Sequence, residues 1–128
     1  MKFGDLLDEL IKLQLLAGEY VVFGSGPMAV RGMREARDMD ILATKSFWGV
    51  LAEKYPSYKK GKTIEIGNIE IWKDWPSFPD PEEVIRGAEM IRGFPFALLS
   101  HVLSWKRSIG REKDAQDIQL IEQYLLKQ

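Results

Sequence analysis

The fold is decided by VVFGSGPMAVRGMREARDMDIL, residues 21–42. The continuous apolar run at residues 20–23 predicts a strand buried on both faces. Gly24-Ser25-Gly26 predicts a tight turn, and Pro27 stands where a first helical residue belongs. A short helix is therefore expected through residues 28–30.

A second strand is expected over residues 38–43. Two strands joined through a helix favour a parallel or mixed arrangement, although a helix this short also permits antiparallel pairing. Asp38 and Asp40 take alternate positions of this strand and therefore point to the same face. Acids are poor strand formers, yet these two open a strand that continues with Ile41 and Leu42. This position favours a chemical role for the pair over a solvated loop edge.

The turn is suited to bind phosphate and the two acids are suited to bind a divalent metal ion, and a nucleoside triphosphate needs both. Backbone N–H groups at the start of a helix lack partners and carry the positive end of its dipole, so they attract phosphate. Gly24 and Gly26 would let a polyphosphate approach, and the Ser25 hydroxyl would add a donor. Taken alone, however, Gly-Ser-Gly is weak evidence, and an ordinary strand–turn–helix junction is the better interpretation. Two carboxylates on one strand suit Mg²⁺, which binds carboxylates together with substrate phosphates.

A third acid on a neighbouring strand would complete a two-metal site. A hairpin is predicted from residues 58–66 and 68–73, turning at Gly67-Asn68. Glu70, between two isoleucines, is the first candidate for the third carboxylate, and Glu65 is the reserve. For either residue the alternative is a solvent-facing strand glutamate.

The remaining elements follow from apolar periodicity and from capping residues. Leucines at helical spacing predict an amphipathic helix that Gly18 ends, and Pro56 ends a second one capped by the segment Thr44 to Ser46. The further expectations are a proline-rich connection at residues 75–81 and an extended segment at 88–92. The predicted helices cover residues 5–16, 47–54, a start at 81–83, 96–108 closed by Gly110, and 113–126. The fold class expected from these elements is α/β (α+β), as a single domain over residues 1–128.

Composition limits the functions open to this chain. It has 128 residues, a net charge of -1 and no cysteine, so disulfides, thiolate metal sites and cysteine nucleophiles are excluded. The pI of about 5.9 is not that of a nucleic-acid coat protein. No signal peptide and no apolar run long enough to cross a bilayer is recognised, so a cytoplasmic protein that does not bind membranes is expected.

Two motifs in order resemble a known superfamily. Gly24-Ser25, a short helix and then Asp38-Met39-Asp40 resemble the signature of polymerase-beta-like nucleotidyltransferases. The segment WKRSIGREKDAQDI, residues 105–118, resembles the Lys…Arg-x-Lys-Asp-x-x-Asp-Ile segment of a small bacterial and archaeal branch. This branch includes abortive-infection toxin-like nucleotidyltransferases. Arg37 departs from the pattern, because relatives frequently carry a small hydroxyl residue before the acid pair.

The resemblance implies a nucleotidyltransferase-like fold, a mixed sheet flanked by helices, and a site. Asp38 and Asp40 would hold Mg²⁺ or Mn²⁺, the third carboxylate would map to Glu70, and Lys106 would reach the phosphates of the nucleotide. Asp114 and Asp117 would sit at the start of the last helix. From the residues alone, Asp114 could equally cap that helix, and Lys106 could face a neighbouring acid.

The function expected is metal-dependent transfer of a nucleoside monophosphate from a nucleoside triphosphate to a hydroxyl of RNA, protein or a small molecule. Glu70 would help deprotonate the acceptor, and no covalent enzyme intermediate is expected. The larger C-terminal domain of many relatives does not follow, so a partner protein, a second copy or a short acceptor is expected to replace it. The alternatives are a catalytically weak nucleotide-binding or toxin–antitoxin-type module acting through a protein partner, and a scaffold whose acids are incidental.

Other chemistry-bearing residues are assigned ordinary roles. His101 is expected to be a partly buried, satisfied side chain. The basic groups are expected to be solvated, although such clusters can steer a nucleotide or RNA. The tryptophans are expected to be core and loop anchors, although one of them could stack on a base. These basic groups and tryptophans are Arg31, Arg34, Arg37, Lys59, Lys60, Lys62, Arg111, Lys113, Trp48, Trp72, Trp75 and Trp105.

Overall fold

The computed structural model describes residues 2–75 and 80–128. The helices are α1 (Phe3–Leu13), α2 (Gly26–Ala29), α3 (Lys45–Lys54), α4 (Pro81–Arg86), α5 (Leu99–Ile109) and α6 (Ala115–Leu126), with 3₁₀ turns at Pro56–Tyr58 and Glu112–Asp114. The strands are β1 (Tyr20–Phe23), β2 (Met39–Ala43), β3 (Lys59–Lys60), β4 (Thr63–Ile66), β5 (Ile69–Trp72), β6 (Glu89–Ile91) and β7 (Phe94–Phe96). None of the helices in these two ranges has the length and apolar character needed to cross a membrane.

The described strands form one sheet in the order β3-β4-β5-β2-β1-β7-β6. β2 pairs with β5 and β1 pairs with β7 in parallel, whereas the other neighbours are antiparallel. The sheet is therefore mixed, as predicted. β1 and β2 pair antiparallel, because the four-residue helix between them is too short for a crossover that would bring the chain back in parallel.

Helices cover both faces of the sheet. Alternate residues of the central strands, such as Val22 and Ile41, pack on one face against α1 and α3. On the other face, Phe23 and Leu42 pack against α4, Trp75 and Trp105. The helices α2, α5 and α6 share a further apolar cluster beside the sheet. β1 is buried along its whole length, as the apolar run predicted.

Three predicted boundaries are wrong, each for a local reason. α1 ends at Leu13 rather than residue 16, because Gln14 takes a left-handed conformation with φ of 51°. The predicted strand at 58–66 is two strands, because Gly61 turns the chain with φ of 62°. Phe96 belongs to β7 and not to the following helix, since its buried side chain and its pairing with Val22 place it in the sheet.

The other predictions agree more closely. Thr44 caps α3, accepting a hydrogen bond from the Phe47 amide at 3.2 Å. The segment predicted to be extended at 88–92 contains β6, and Gly110 ends α5 in a left-handed conformation. The last helix begins at Ala115, after the 3₁₀ turn. The proline-rich connection predicted at 75–81 lies outside the described residues at positions 76–79.

Candidate functional site

The sheet brings the predicted carboxylates together. Asp40 on β2 and Glu70 on β5 are register partners in the parallel pair, so they point to the same face. The prediction that a strand begins at Asp38 is wrong: β2 begins at Met39, so Asp38 lies immediately before the strand and is exposed. Its negative charge raises the pKa of both other carboxyl groups. The three acids that the sequence singled out are thus electrostatic neighbours.

Burial makes the Asp40 carboxyl group unusually basic. Desolvation, and then the charge of Asp38, raise its pKa from 3.8 to about 7. The Trp72 indole opposes this shift by donating its Nε1–H to Asp40 Oδ1 at 3.3 Å. Glu70 also has a raised pKa, first because it is desolvated and then because Asp38 and Glu65 carry negative charge. The cluster therefore favours a bound proton or a bound cation.

The turn after β1 meets the head of β2 at this cluster. Gly24 has a φ of 63°, and a Cβ built on it would collide with Asp40 Oδ2. Ser25 follows, and among the described residues its side chain makes no capping hydrogen bond to α2. Gly26 is instead buried, and a Cβ there would collide with Val22. Gly24 and Ser25 therefore face the acids, whereas Gly26 serves the packing of α2 on β1.

These groups line a cavity of about 710 Å³, which we call the carboxylate cavity. Its wall includes an aromatic cluster in which Trp75 lies between Trp72 and Trp105, with ring centroids 5.0 and 5.2 Å away. Charged side chains complete it. The lining residues are Gly24, Ser25, Arg34, Asp38, Asp40, Glu70, Trp72, Trp75, Trp105, Lys106, Ile109, Arg111, Lys113 and Asp114.

Lys106 lies at this wall inside a buried ion network. It is 4% exposed, and its Nζ lies 2.9 Å from Asp114 Oδ1 and 3.2 Å from Asp117 Oδ2. Asp114 also accepts from Arg111 Nε at 2.6 Å, and Asp117 accepts from Arg34 at the same distance. Burial alone would raise the pKa of Asp114, but hydrogen bonds from Arg111 and Lys106 hold it below its usual value. This network fastens the start of α6 to α5.

The reserve acid, Glu65, has a different setting. It is the register partner of Glu70 on β4, but it is not among the residues lining the carboxylate cavity. Its carboxylate faces Lys60 Nζ at 3.6 Å and accepts from the Thr63 hydroxyl at 3.3 Å. Glu70 is therefore the better placed of the two candidates.

Within residues 2–75 and 80–128, no group of three or more histidine, cysteine, aspartate or glutamate side chains is placed to hold a metal ion. The three carboxylates are neighbours but do not form a closed set of metal ligands.

Several residues of the cavity wall were not identified as site residues from the sequence, and Trp72 and Arg34 show two reasons why. Trp72 stands two positions after Glu70, so strand alternation places both on one face, and this signal was available. Arg34 had no such signal, because its partner Asp117 is 83 positions away. The other ordinary assignments agree with the structure for Trp48, which is buried and donates to the Ile71 carbonyl at 3.0 Å, and for His101, which is half-buried.

Comparison with known proteins supports the fold. No protein-family model and no curated protein sequence matches the chain. The crystal structure of a candidate nucleotidyltransferase from Thermotoga maritima superposes with a TM-score of 0.63 at 18% identity. The match covers 100% of this chain and 97% of that one. The chain therefore has a nucleotidyltransferase-like fold.

Proposed function

We propose that this protein is a nucleotidyltransferase that moves a nucleoside monophosphate from a nucleoside triphosphate to a hydroxyl acceptor. The observation that carries the proposal is the convergence of Gly24, Asp40 and Glu70, from three neighbouring strand segments, on one cavity with Asp38 at its edge. The shared fold with a candidate nucleotidyltransferase agrees with it. Magnesium dependence, the nucleotide and the acceptor class belong to this proposal.

Asp38 and Asp40 would hold Mg²⁺ or Mn²⁺. The raised pKa of Asp40 supports this role, because negative charge crowded into a partly desolvated place is relieved by a cation. Mg²⁺ commonly binds one or two carboxylates and takes its remaining ligands from phosphates and water. The absence of a closed three-ligand set in the described chain fits such a substrate-completed shell. The metal would supply charge neutralisation and a lowered pKa at a coordinated hydroxyl.

Glu70 would act as the third carboxylate and as general base. A raised pKa brings a carboxylate closer to the operating pH, which improves proton transfer. The Gly24 backbone and the Ser25 hydroxyl would contact the β and γ phosphates. Lys106 would support these phosphates from the wall, where its charge is shared with Asp114 and Asp117.

The test is turnover and nucleotide binding by the purified protein with radiolabelled triphosphates, Mg²⁺ and pooled RNA, protein and small-molecule acceptors. The double variant Asp38→Asn/Asp40→Asn should lose labelled product while keeping its circular dichroism spectrum. Asp8→Asn, on the exposed side of α1, is the matched control. Absence of product across the panel, together with absence of nucleotide binding, would contradict the proposal.

A second function has one observation in its favour. Because Lys106 is held between Asp114 and Asp117, its charge is shared with two carboxylates rather than free for phosphate, and the domain would also suit nucleotide binding with little turnover, acting through a protein partner as in a toxin–antitoxin pair. This alternative predicts nucleotide affinity without product and stable co-purification with another chain. The Asp38→Asn/Asp40→Asn variant would then keep its partner.

A further inference from the structure

We propose that a second cavity, adjoining the carboxylate cavity, binds the acceptor, and that this acceptor is a small molecule carrying a phosphate group near its reactive hydroxyl. The inference rests on the proposed function and names its substrate class. We call this second site the acceptor cavity. It lies between the loop at residues 33–37, the β4–β5 turn at Asn68, the 3₁₀ turn at Lys113 and the first part of α6 at Gln116.

The size of the acceptor cavity suits a small ligand. Its volume is about 820 Å³, and cavities that bury small molecules range over roughly 300–1,000 Å³. A long nucleic acid would instead need an extended basic surface, which the net charge of -1 does not favour. The occupant is therefore expected to be a compact molecule.

The acceptor cavity adjoins the carboxylate cavity. Arg34 and Lys113 line both. Asn68 lines the acceptor cavity two positions before Glu70, and its carbonyl accepts the Met39 N–H at 2.9 Å. Met39 itself stands between the two aspartates. A molecule held in this cavity would thus lie next to the cavity that contains Asp38, Asp40 and Glu70.

The charges of the acceptor cavity select an anion. Arg34 is already paired, with Asp117 at 2.6 Å, and Asp117 also lies 3.2 Å from Lys106. Arg37 and Lys113 make no hydrogen bond or ion pair with other side chains of the described residues. Against these two unpaired cations the lining offers one further acid, Glu35. Guanidinium and ammonium groups together bind phosphate well, because the arginine can donate two parallel hydrogen bonds.

The test maps ligand binding by ¹⁵N NMR of the wild-type protein. Ribose 5-phosphate, ribose and inorganic phosphate are the probes. The side-chain amides of Gln116 and Asn68 report on the acceptor cavity, and the indole N–H groups of Trp72 and Trp105 report on the carboxylate cavity. We expect ribose 5-phosphate to shift the amide signals and ribose to leave them unchanged. Inorganic phosphate should bind more weakly than the sugar phosphate.

The variant Arg37→Gln/Lys113→Gln should weaken ribose 5-phosphate binding at least about tenfold, since both charge-assisted contacts to the phosphate group are lost. Its matched control is Lys12→Gln/Arg86→Gln, two exposed cations outside both cavities. Unchanged binding by the first variant would overturn the inference. So would shifts confined to the indole signals, or equal affinity for inorganic phosphate, which would make the cavity a general anion site.

ATP with Mg²⁺, added to the same samples, separates this inference from the proposed function. If ATP shifts the Trp72 indole while ribose 5-phosphate leaves the amides unmoved, the acceptor assignment fails and the nucleotide site stands. If ribose 5-phosphate binds as expected and neither ATP nor GTP, CTP or UTP shifts the indole signals, the acceptor cavity stands as a phosphate-compound site and the transferase proposal fails.

Discussion

The Asp40 carboxylate lies directly against the backbone of Gly24, so that any β-carbon on Gly24 would collide with Oδ2. Gly24 lies in the turn directly after β1, and Asp40 on the adjacent antiparallel strand β2 is the register partner of Phe23, the residue before the glycine. The contact fixes the carboxylate at the end of β1, where the turn begins. The position of the Asp40 carboxylate therefore depends on the absence of a side chain at Gly24.

Gly24→Ala should therefore damage the site beyond its effect on the backbone. A left-handed φ costs a residue with a β-carbon about 1–2 kcal/mol, and here the methyl group would also displace the carboxylate. Gly61→Ala is the matched control, because Gly61 has a φ of 62° but open space around it. Both variants should lose stability in urea unfolding, whereas only Gly24→Ala should lose affinity for ATP with Mg²⁺. Equal ATP affinity in the two variants would contradict the role given to this contact.

Asp40→Asn should stabilise the protein in a pH-dependent way. The pKa of Asp40 is raised from 3.8 to about 7 by folding, so the native state holds a proton that the unfolded state has released between these values. The free energy of unfolding of the wild type consequently falls as pH rises from about 4 to about 7. Above pH 7 the carboxylate is ionised in the folded protein, and the whole destabilisation is present. Asparagine removes the penalty and can still accept the Trp72 hydrogen bond.

The measurement is the melting temperature of wild type and Asp40→Asn without metal across this pH range. The variant should melt higher by about 3 °C or more above pH 7, with the difference shrinking toward pH 4. Adding Mg²⁺ should raise the melting temperature of the wild type alone. A difference in melting temperature that stays constant with pH, or that grows in acid, would show that burial and Asp38 do not raise the pKa of Asp40.

Lys106→Met should be strongly destabilising. The ammonium group is buried between Asp114 and Asp117, and its removal leaves two buried carboxylates with fewer partners. Breaking a buried pair on one side costs about 3–5 kcal/mol. Arg107→Met is the control on the same helix, since Arg107 pairs with Glu122 at the surface and such pairs contribute about 1 kcal/mol or less.

Urea unfolding and ATP titration on both variants separate the two roles of Lys106. A large loss of stability supports the network, and a loss of ATP affinity at temperatures where the variant remains folded supports the predicted contact with phosphates. A Lys106→Met protein as stable as Arg107→Met would contradict the structural role.

Glu9→Ala should loosen the turn that presents Glu70. The Glu9 carboxylate accepts from the Asn68 backbone N–H at 3.0 Å and from its side-chain amide at 2.9 Å. The Asn68 carbonyl in turn holds the Met39 amide. We expect a loss of about 1–2 kcal/mol and faster hydrogen exchange at the Met39 amide, with Asp8→Ala as the control on α1.

This effect should disappear in acid. The backbone hydrogen bond from Asn68, and then its side-chain hydrogen bond, lower the pKa of Glu9 in the folded protein. The associated stability is present above the ordinary pKa of 4.5 and is lost as pH falls through the lower folded value. An unchanged exchange rate at Met39 would show that Glu9 does not position the hairpin.

Strand alternation predicted part of the arrangement around the acids. It placed Glu70 on the face opposite the isoleucines of its strand, because side chains alternate with a period of two, and those isoleucines are buried in β5. The same reasoning failed for Asp38, which lies before β2 and not in it. The fold class was expected from these patterns together with the resemblance to nucleotidyltransferases.

The sequence could not predict contacts between distant segments. Phe96 follows a proline and precedes a helix, so its apolar character fits helix and strand alike, and only its packing on β1 decides between them. The Arg34–Asp117 pair joins a loop to the last helix. The sequence around Arg34 gives no indication that Asp117 is its partner, and the sequence around Asp117 gives no indication of Arg34. That Arg37 and Lys113 have no ion-pair partner among residues 2–75 and 80–128 likewise becomes visible only once the partners of the nearby charges are known.

One edge of the sheet has a consequence for behaviour in concentrated solution. β3 is two residues long, and both are exposed lysines. A short edge strand carrying positive charge gives another chain little backbone to pair with, and two copies brought together there repel each other. The chain is therefore expected to resist polymerisation through the β3 edge at high protein concentration. This holds although its core contains many β-branched and aromatic residues, which favour fibril formation in other settings.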